Sequence, residues 1–121
     1  MKKTQQLIIH SIPLAFGILL SFLFWKSNLT LLIFYSFLVL MLVLTGNDKR
    51  VESWIFLYGI LAGLIVETLG TQISGYQSFT QPDMLGIPFW LLVSWGYGFI
   101  LMKRISLIIA TGSPWTNKVS S

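Results

Sequence analysis

Four long apolar runs divide this chain, at 7–25, 29–45, 51–69 and 87–102, and each is almost free of formal charge. A helix needs about 20 mostly apolar residues to cross a bilayer, with a usual range of roughly 17 to 25. The fourth run is slightly short, and residues 106–110 are expected to extend it along the interface. Only 10% of the residues are charged, against about 25% in a soluble domain, so there are too few charges to cover a water-facing surface. The expectation is an all-α integral membrane protein: a single membrane domain over residues 1–121, folded as a four-transmembrane-helix bundle.

The basic residues orient this bundle. Short loops rich in Lys and Arg stay in the cytoplasm. With the N-terminus inside, seven cations fall on inner segments (Lys2, Lys3, Lys49, Arg50, Lys103, Arg104 and Lys118) and one, Lys26, falls outside. The topology expected is N-in/C-in, in a membrane taken to be a bacterial inner membrane. The first run is not expected to be a cleaved signal peptide. Its apolar stretch exceeds the usual core of about 7–15 residues, and no small-x-small cleavage site follows.

The connections fit. Lys26–Ser27–Asn28 is a tight outer turn that makes the first two helices an antiparallel hairpin, with Ser27 or Asn28 capping the second helix. Gly46 is placed to end the second helix, and Asn47 or Asp48 to cap the third. The last connection, Gly70 to Gly86, is a long, nearly uncharged outer loop between the third and fourth helices. Loops beyond about 12–15 residues are often functional, and this one is expected to fold over the outer mouth of the bundle.

The same residues exclude several function classes. The net charge of +4 comes from cations at the ends of apolar runs, not from a basic patch interleaved with aromatics, so no nucleic-acid partner is expected. The chain has no cysteine, which removes thiolate metal sites and thiol catalysis. No Gly-rich phosphate loop, Ser–His–Asp set or paired carboxylates at one depth stand out. No cofactor and no metal are expected.

Glu67 is the one acid deep in an apolar run. An acid there is costly to insert and usually faces the interior. Gly59, Gly63 and Glu67 lie four residues apart on one helical face, and small residues at that spacing let two helix backbones approach closely. Ser94 and Gly98 form a second such pair on the fourth helix. Two readings of Glu67 stand: a catalytic, binding or proton-coupling role, or a structural one in which it bonds to the outer loop and pins it. The glycine pair serves packing within the bundle or a homodimer. His10, one turn before Pro13, has no carboxylate or second His nearby and is read as structural. It lies at the opposite membrane face from Glu67, so the two cannot share a metal. Trp25 and Trp54 are interfacial anchors, and Trp90 also lies near an interface. Trp95 sits deeper and, with Pro88 and Phe89, could line an aromatic cavity beneath the loop. Core packing alone is the simpler reading for each of these residues.

From Glu67 to Trp95 the chain reads E-T-L-G-T-Q-I-S-G-Y-Q-S-F-T-Q-P-D-M-L-G-I-P-F-W-L-L-V-S-W. This stretch resembles a segment of the carotenoid biosynthesis membrane proteins that include the bisanhydrobacterioruberin hydratases. There an acid near a helix end is followed by Gly, Gly-x-Tyr-x-aromatic-Thr, then Gly-[Val/Ile]-Pro and a Trp. The matching positions are Glu67, Gly70, Gly75, Tyr76, Phe79, Thr80, Gly86, Pro88 and Trp95. The resemblance implies a membrane-embedded enzyme acting on a long isoprenoid, with the acid donating or accepting a proton.

The first expectation for function is therefore binding or conversion of a lipophilic small molecule at an outer-leaflet site. Glu67 would be the catalytic acid or base, and Thr71, Tyr76 and Trp95 would hold the substrate. An accessory subunit that docks on a membrane-protein partner is the alternative. A third is a proton-coupled dimeric transporter, which the small multidrug-resistance exporters resemble in size only. In every case membrane lipid is a partner.

Overall fold

The computed structural model describes residues 2–70 and 87–116. It consists of α1 (Lys3–Phe24), α2 (Asn28–Thr45), α3 (Lys49–Thr68) and α4 (Phe89–Thr111). At 22, 18, 20 and 23 residues, these helices are roughly 27–35 Å long at 1.5 Å per residue, which matches a hydrocarbon core of about 30 Å. All four are long and apolar enough to span a membrane.

One boundary differs from expectation: α1 starts at Lys3, not Leu7, because Thr4, Gln5 and Gln6 extend the helix. α4 runs unbroken to Thr111, and residues 106–110 belong to it. It ends at Gly112, whose φ of +83° is a left-handed turn that reverses the chain. Between α1 and α2, Ser27 caps the second helix, its hydroxyl accepting from the Thr30 N–H at 3.3 Å.

Contacts across the bundle fix an alternating up-and-down order. Lys3 reaches the Ile109 carbonyl and Tyr97 the Pro13 carbonyl, so α1 runs antiparallel to α4. The Trp90–Asn28 and Arg104–Leu42 bonds align α2 parallel to α4. Pairing of Glu52 with Arg104 and of Glu67 with Trp95 makes α3 antiparallel to α4. The start of α1, the end of α2, the start of α3 and the end of α4 therefore meet at one end of the bundle. α4 is the central helix, packed on all three others, and among the described residues α1 does not pack on α3.

Tyr35 and Tyr97 belong to the buried core, and Trp90, partly buried near the start of α4, packs against it. The Tyr35 ring stacks on Trp90 with centroids 6.1 Å apart and meets Tyr97 edge-on at 5.5 Å. Both hydroxyls donate to α1 carbonyls at 2.7 Å, Tyr35 to Gly17 and Tyr97 to Pro13. Gly17 permits this approach: a Cβ there would stand 3.0 Å from the Tyr97 ring. Such bonds are worth about 0.6 kcal/mol on average within a membrane, and here they also keep these two phenols inside the bundle. Away from this core the surface is apolar, with Ile8, Phe22, Leu29 and Leu61 among the exposed side chains, as a lipid surround allows.

Candidate functional site

Two polar centres lie at opposite ends of the α3–α4 seam. The first is built on the glycine face of α3. A Cβ at Gly59 would come within 2.8 Å of the Gly96 Cα and 3.0 Å of Phe99. A Cβ at Gly63 would collide with the Trp95 side chain at its Cβ and ring atoms. Absence of that Cβ lets the Trp95 indole lie against α3, one turn below Glu67. The indole Nε1–H then donates to Glu67 Oε2 at 3.1 Å. Glu67 is only 6% exposed, so its carboxylate sits inside the seam and not in outer water.

The expected residues are thus partly gathered. Glu67 and Trp95 touch, and Gly59 and Gly63 face α4. Gly98 does not line a close helix contact: a Cβ there would meet nothing within 4 Å, and Gly96 occupies the seam instead. The reason is phase. Position 96 turns toward α3 with Phe99, whereas position 98 turns away. Ser94 donates its hydroxyl to the Leu91 carbonyl at 2.6 Å in its own helix. Thr71 and Tyr76, with the loop of residues 71–86, lie outside the described residues. Pro88 immediately precedes α4 as its N-cap. Trp25 and Trp54 are exposed at helix ends, and Trp90 donates to Asn28 Oδ1 at 3.1 Å.

The second centre, at the end where α1 starts and α4 ends, was not anticipated from the sequence. Glu52 is fully buried and accepts a forked pair of bonds from Arg104, Nε to Oε2 and Nη2 to Oε1, both at 2.6 Å. Lys103 Nζ bonds Glu52 Oε2 at 3.0 Å and also pairs with Asp48 Oδ2. Two carboxylates therefore do share one depth, contrary to expectation. Asp48 is the N-cap residue of α3 by position, but its side chain makes no cap bond. It serves Lys103 and the Thr116 N–H and hydroxyl, at 2.6 and 2.8 Å. Gly46 opens the space for the fork, since a Cβ there would stand 2.6 Å from Arg104 Nη2.

The chain after α4 closes this end. Turned by Gly112, whose carbonyl accepts from Gln6 Nε2 at 2.7 Å, it carries Trp115 over the cations. The ring centroid lies 4.9 Å from the Arg104 guanidinium carbon and 5.5 Å from Lys103 Nζ. His10 meets the same ring edge-on at 6.4 Å. Two acids and two bases bonded to one another form a charge-balanced lock between α3 and α4. A sequence signal existed: Asp48 and Glu52 are four apart at the start of α3, and topology brings Lys103–Arg104 to the same end of the bundle. Counting those bases only as orientation signals hid it.

Among the described residues no three His, Asp or Glu side chains gather as metal ligands would. No family model matches the chain, and neither a curated protein nor a solved structure does. The class of protein follows from the fold: a multi-pass membrane protein of four helices, each fit to span the bilayer.

Proposed function

We propose that this protein binds a lipophilic, isoprenoid-type molecule beside Glu67, and that Glu67 donates or accepts a proton on it. The observation that carries this reading is a carboxylate 6% exposed near the end of a membrane helix, positioned by an indole N–H at 3.1 Å. A buried acid in such a segment is costly and is kept for work in the bundle interior. Trp95 presents an apolar face for a polyene or prenyl chain and fixes the carboxylate at the same time. On this reading that end of the seam lies in the outer leaflet of a bacterial inner membrane with both termini in the cytoplasm, an orientation that the charge bias supports.

Lipid and pigment mass spectrometry on protein purified in mild detergent tests the reading, with wild type compared against Glu67→Gln. A discrete isoprenoid that co-purifies with wild type, and changes in amount or chemical form in the variant, is the expected result. Bulk phospholipid alone, identical in both, overturns it.

That second outcome would favour an accessory subunit of a membrane complex. α1 supports this alternative, since it presents an apolar surface from Ile8 through Ile12 and Leu19 to Leu23 that the bundle leaves uncovered. A partner subunit retained in mild detergent, and lost when this face is made polar, would establish it.

A further inference from the structure

α3 segregates its chemistry by face. Glu52, Gly59, Gly63 and Glu67 point to α4 and are buried. On the opposite side, Arg50, Trp54, Tyr58, Leu61 and Ile65 follow one another at helical spacing and are exposed. Trp54, Leu57, Tyr58 and Leu61 on this side border an open apolar groove of about 480 Å³. Trp54 is 68% and Tyr58 66% exposed.

The charge at the head of the groove is uncompensated. The two acids at this end of the bundle, Asp48 and Glu52, are committed to Lys103 and Arg104 inside the protein. Lys49 donates to a neutral carbonyl, that of Gly46. Arg50 is exposed, one turn before Trp54, and makes no hydrogen bond or ion pair among the described residues. A guanidinium suits a phosphate because it offers two parallel donors. Below it lies an apolar, aromatic-edged groove of the kind an acyl chain fills.

We propose that the outward face of α3 is a binding site for an anionic phospholipid, its phosphate on Arg50 and one acyl chain along Trp54, Tyr58 and Leu61. Complementary charge sets the choice among lipids. Lys2, Lys3, Lys49 and Arg50 crowd this end with no acid left to offset them, so a headgroup of net negative charge is favoured over a zwitterionic one. The site is independent of the chemistry at Glu67, from which it is separated by the thickness of α3.

The test is native mass spectrometry of the full chain in detergent, titrated with phosphatidylglycerol or phosphatidylcholine of matched chains. Wild type is expected to retain phosphatidylglycerol preferentially. Arg50→Gln should weaken that binding by about fivefold, the effect of one surface cation near an anionic headgroup, and leave phosphatidylcholine unchanged. Trp54→Ala should weaken both. Lys2→Gln, which removes a cation at the same end but off the groove, separates site from bulk charge. If Lys2→Gln acts as strongly as Arg50→Gln, or if wild type shows no preference between the lipids, the site does not exist. Fluorescence quenching by brominated phosphatidylglycerol in vesicles gives a second readout. Brominated phosphatidylglycerol should quench wild type more than brominated phosphatidylcholine does, with that difference lost in Trp54→Phe, and equal quenching by the two lipids in wild type would also overturn the proposal.

Discussion

Arg104 and Glu52 meet by a two-pronged ion pair, both bonds 2.6 Å long, with the carboxylate completely shielded from solvent. The pair is unequal in its alternatives. Without Arg104, Glu52 still has Lys103; without Glu52, Arg104 keeps the Leu42 carbonyl, at 2.7 Å, and the Trp115 ring. Breaking a buried pair typically costs about 3–5 kcal/mol. Glu52→Gln should fall in that range and Arg104→Gln below it, read as thermal unfolding in detergent. The double replacement Glu52→Leu/Arg104→Leu should recover much of the loss. A double variant as unstable as the sum of the singles would contradict the lock.

The glycine seam gives a paired comparison. Gly63→Ala places a methyl into the Trp95 side chain, an overpacking that costs roughly 1–3 kcal/mol. Gly98→Ala meets nothing within 4 Å and removes backbone freedom in a helix, so it should be neutral or stabilising by up to about 1 kcal/mol. The unfolding temperature should fall for Gly63→Ala and stay level or rise for Gly98→Ala.

At the other end, Trp95→Phe removes one donor to a buried carboxylate, and a hydrogen bond to a charged group is worth about 1.5–3 kcal/mol. Glu67→Gln keeps an oxygen that can accept from the indole. The Trp95 variant should therefore be the less stable of the two. Comparable stability of Glu67→Gln and wild type would also qualify that variant for the ligand experiment.

Removal of the ring that covers the inner charges is expected to loosen one end only. Trp115→Ala forfeits cation–π contacts worth about 0.5–2 kcal/mol. Hydrogen exchange should rise at 48–52 and 103–106 and stay unchanged at 60–67. A uniform rise would mean that Trp115 acts on the whole bundle.

Orientation has a direct check. With Lys2, Lys3, Lys49, Arg50, Lys103 and Arg104 at one end and Lys26 at the other, a fluorescent protein that matures only in the cytoplasm should fluoresce when fused after Ser121. A periplasm-dependent phosphatase fused at the same place should stay inactive. The reverse pair of results would invert the topology.

Much of the architecture was legible in the residues because lipid imposes a local rule. Every backbone group of a spanning segment must be satisfied within it, so length and apolarity alone mark the four helices, and Ser27 marks one of their ends. The glycine face of α3 was legible too, since spacing by four is a property of one helix. Gly98 was misplaced because a small residue shows where approach is allowed, not which neighbour takes it.

What the sequence by itself determined is therefore the set of spans, the tight turn between the first two and the inward face that joins Gly59, Gly63 and Glu67, all consequences of contacts within about two turns. Only the tertiary structure decided which helix is central, that Trp95 takes the Gly63 gap to reach Glu67, and that Asp48 and Glu52 are consumed by Lys103 and Arg104. Those partners are more than 25 residues apart, and no helical period links them. Their meeting depends on the rotation of α4 against α3, which is set by side-chain packing summed over the seam.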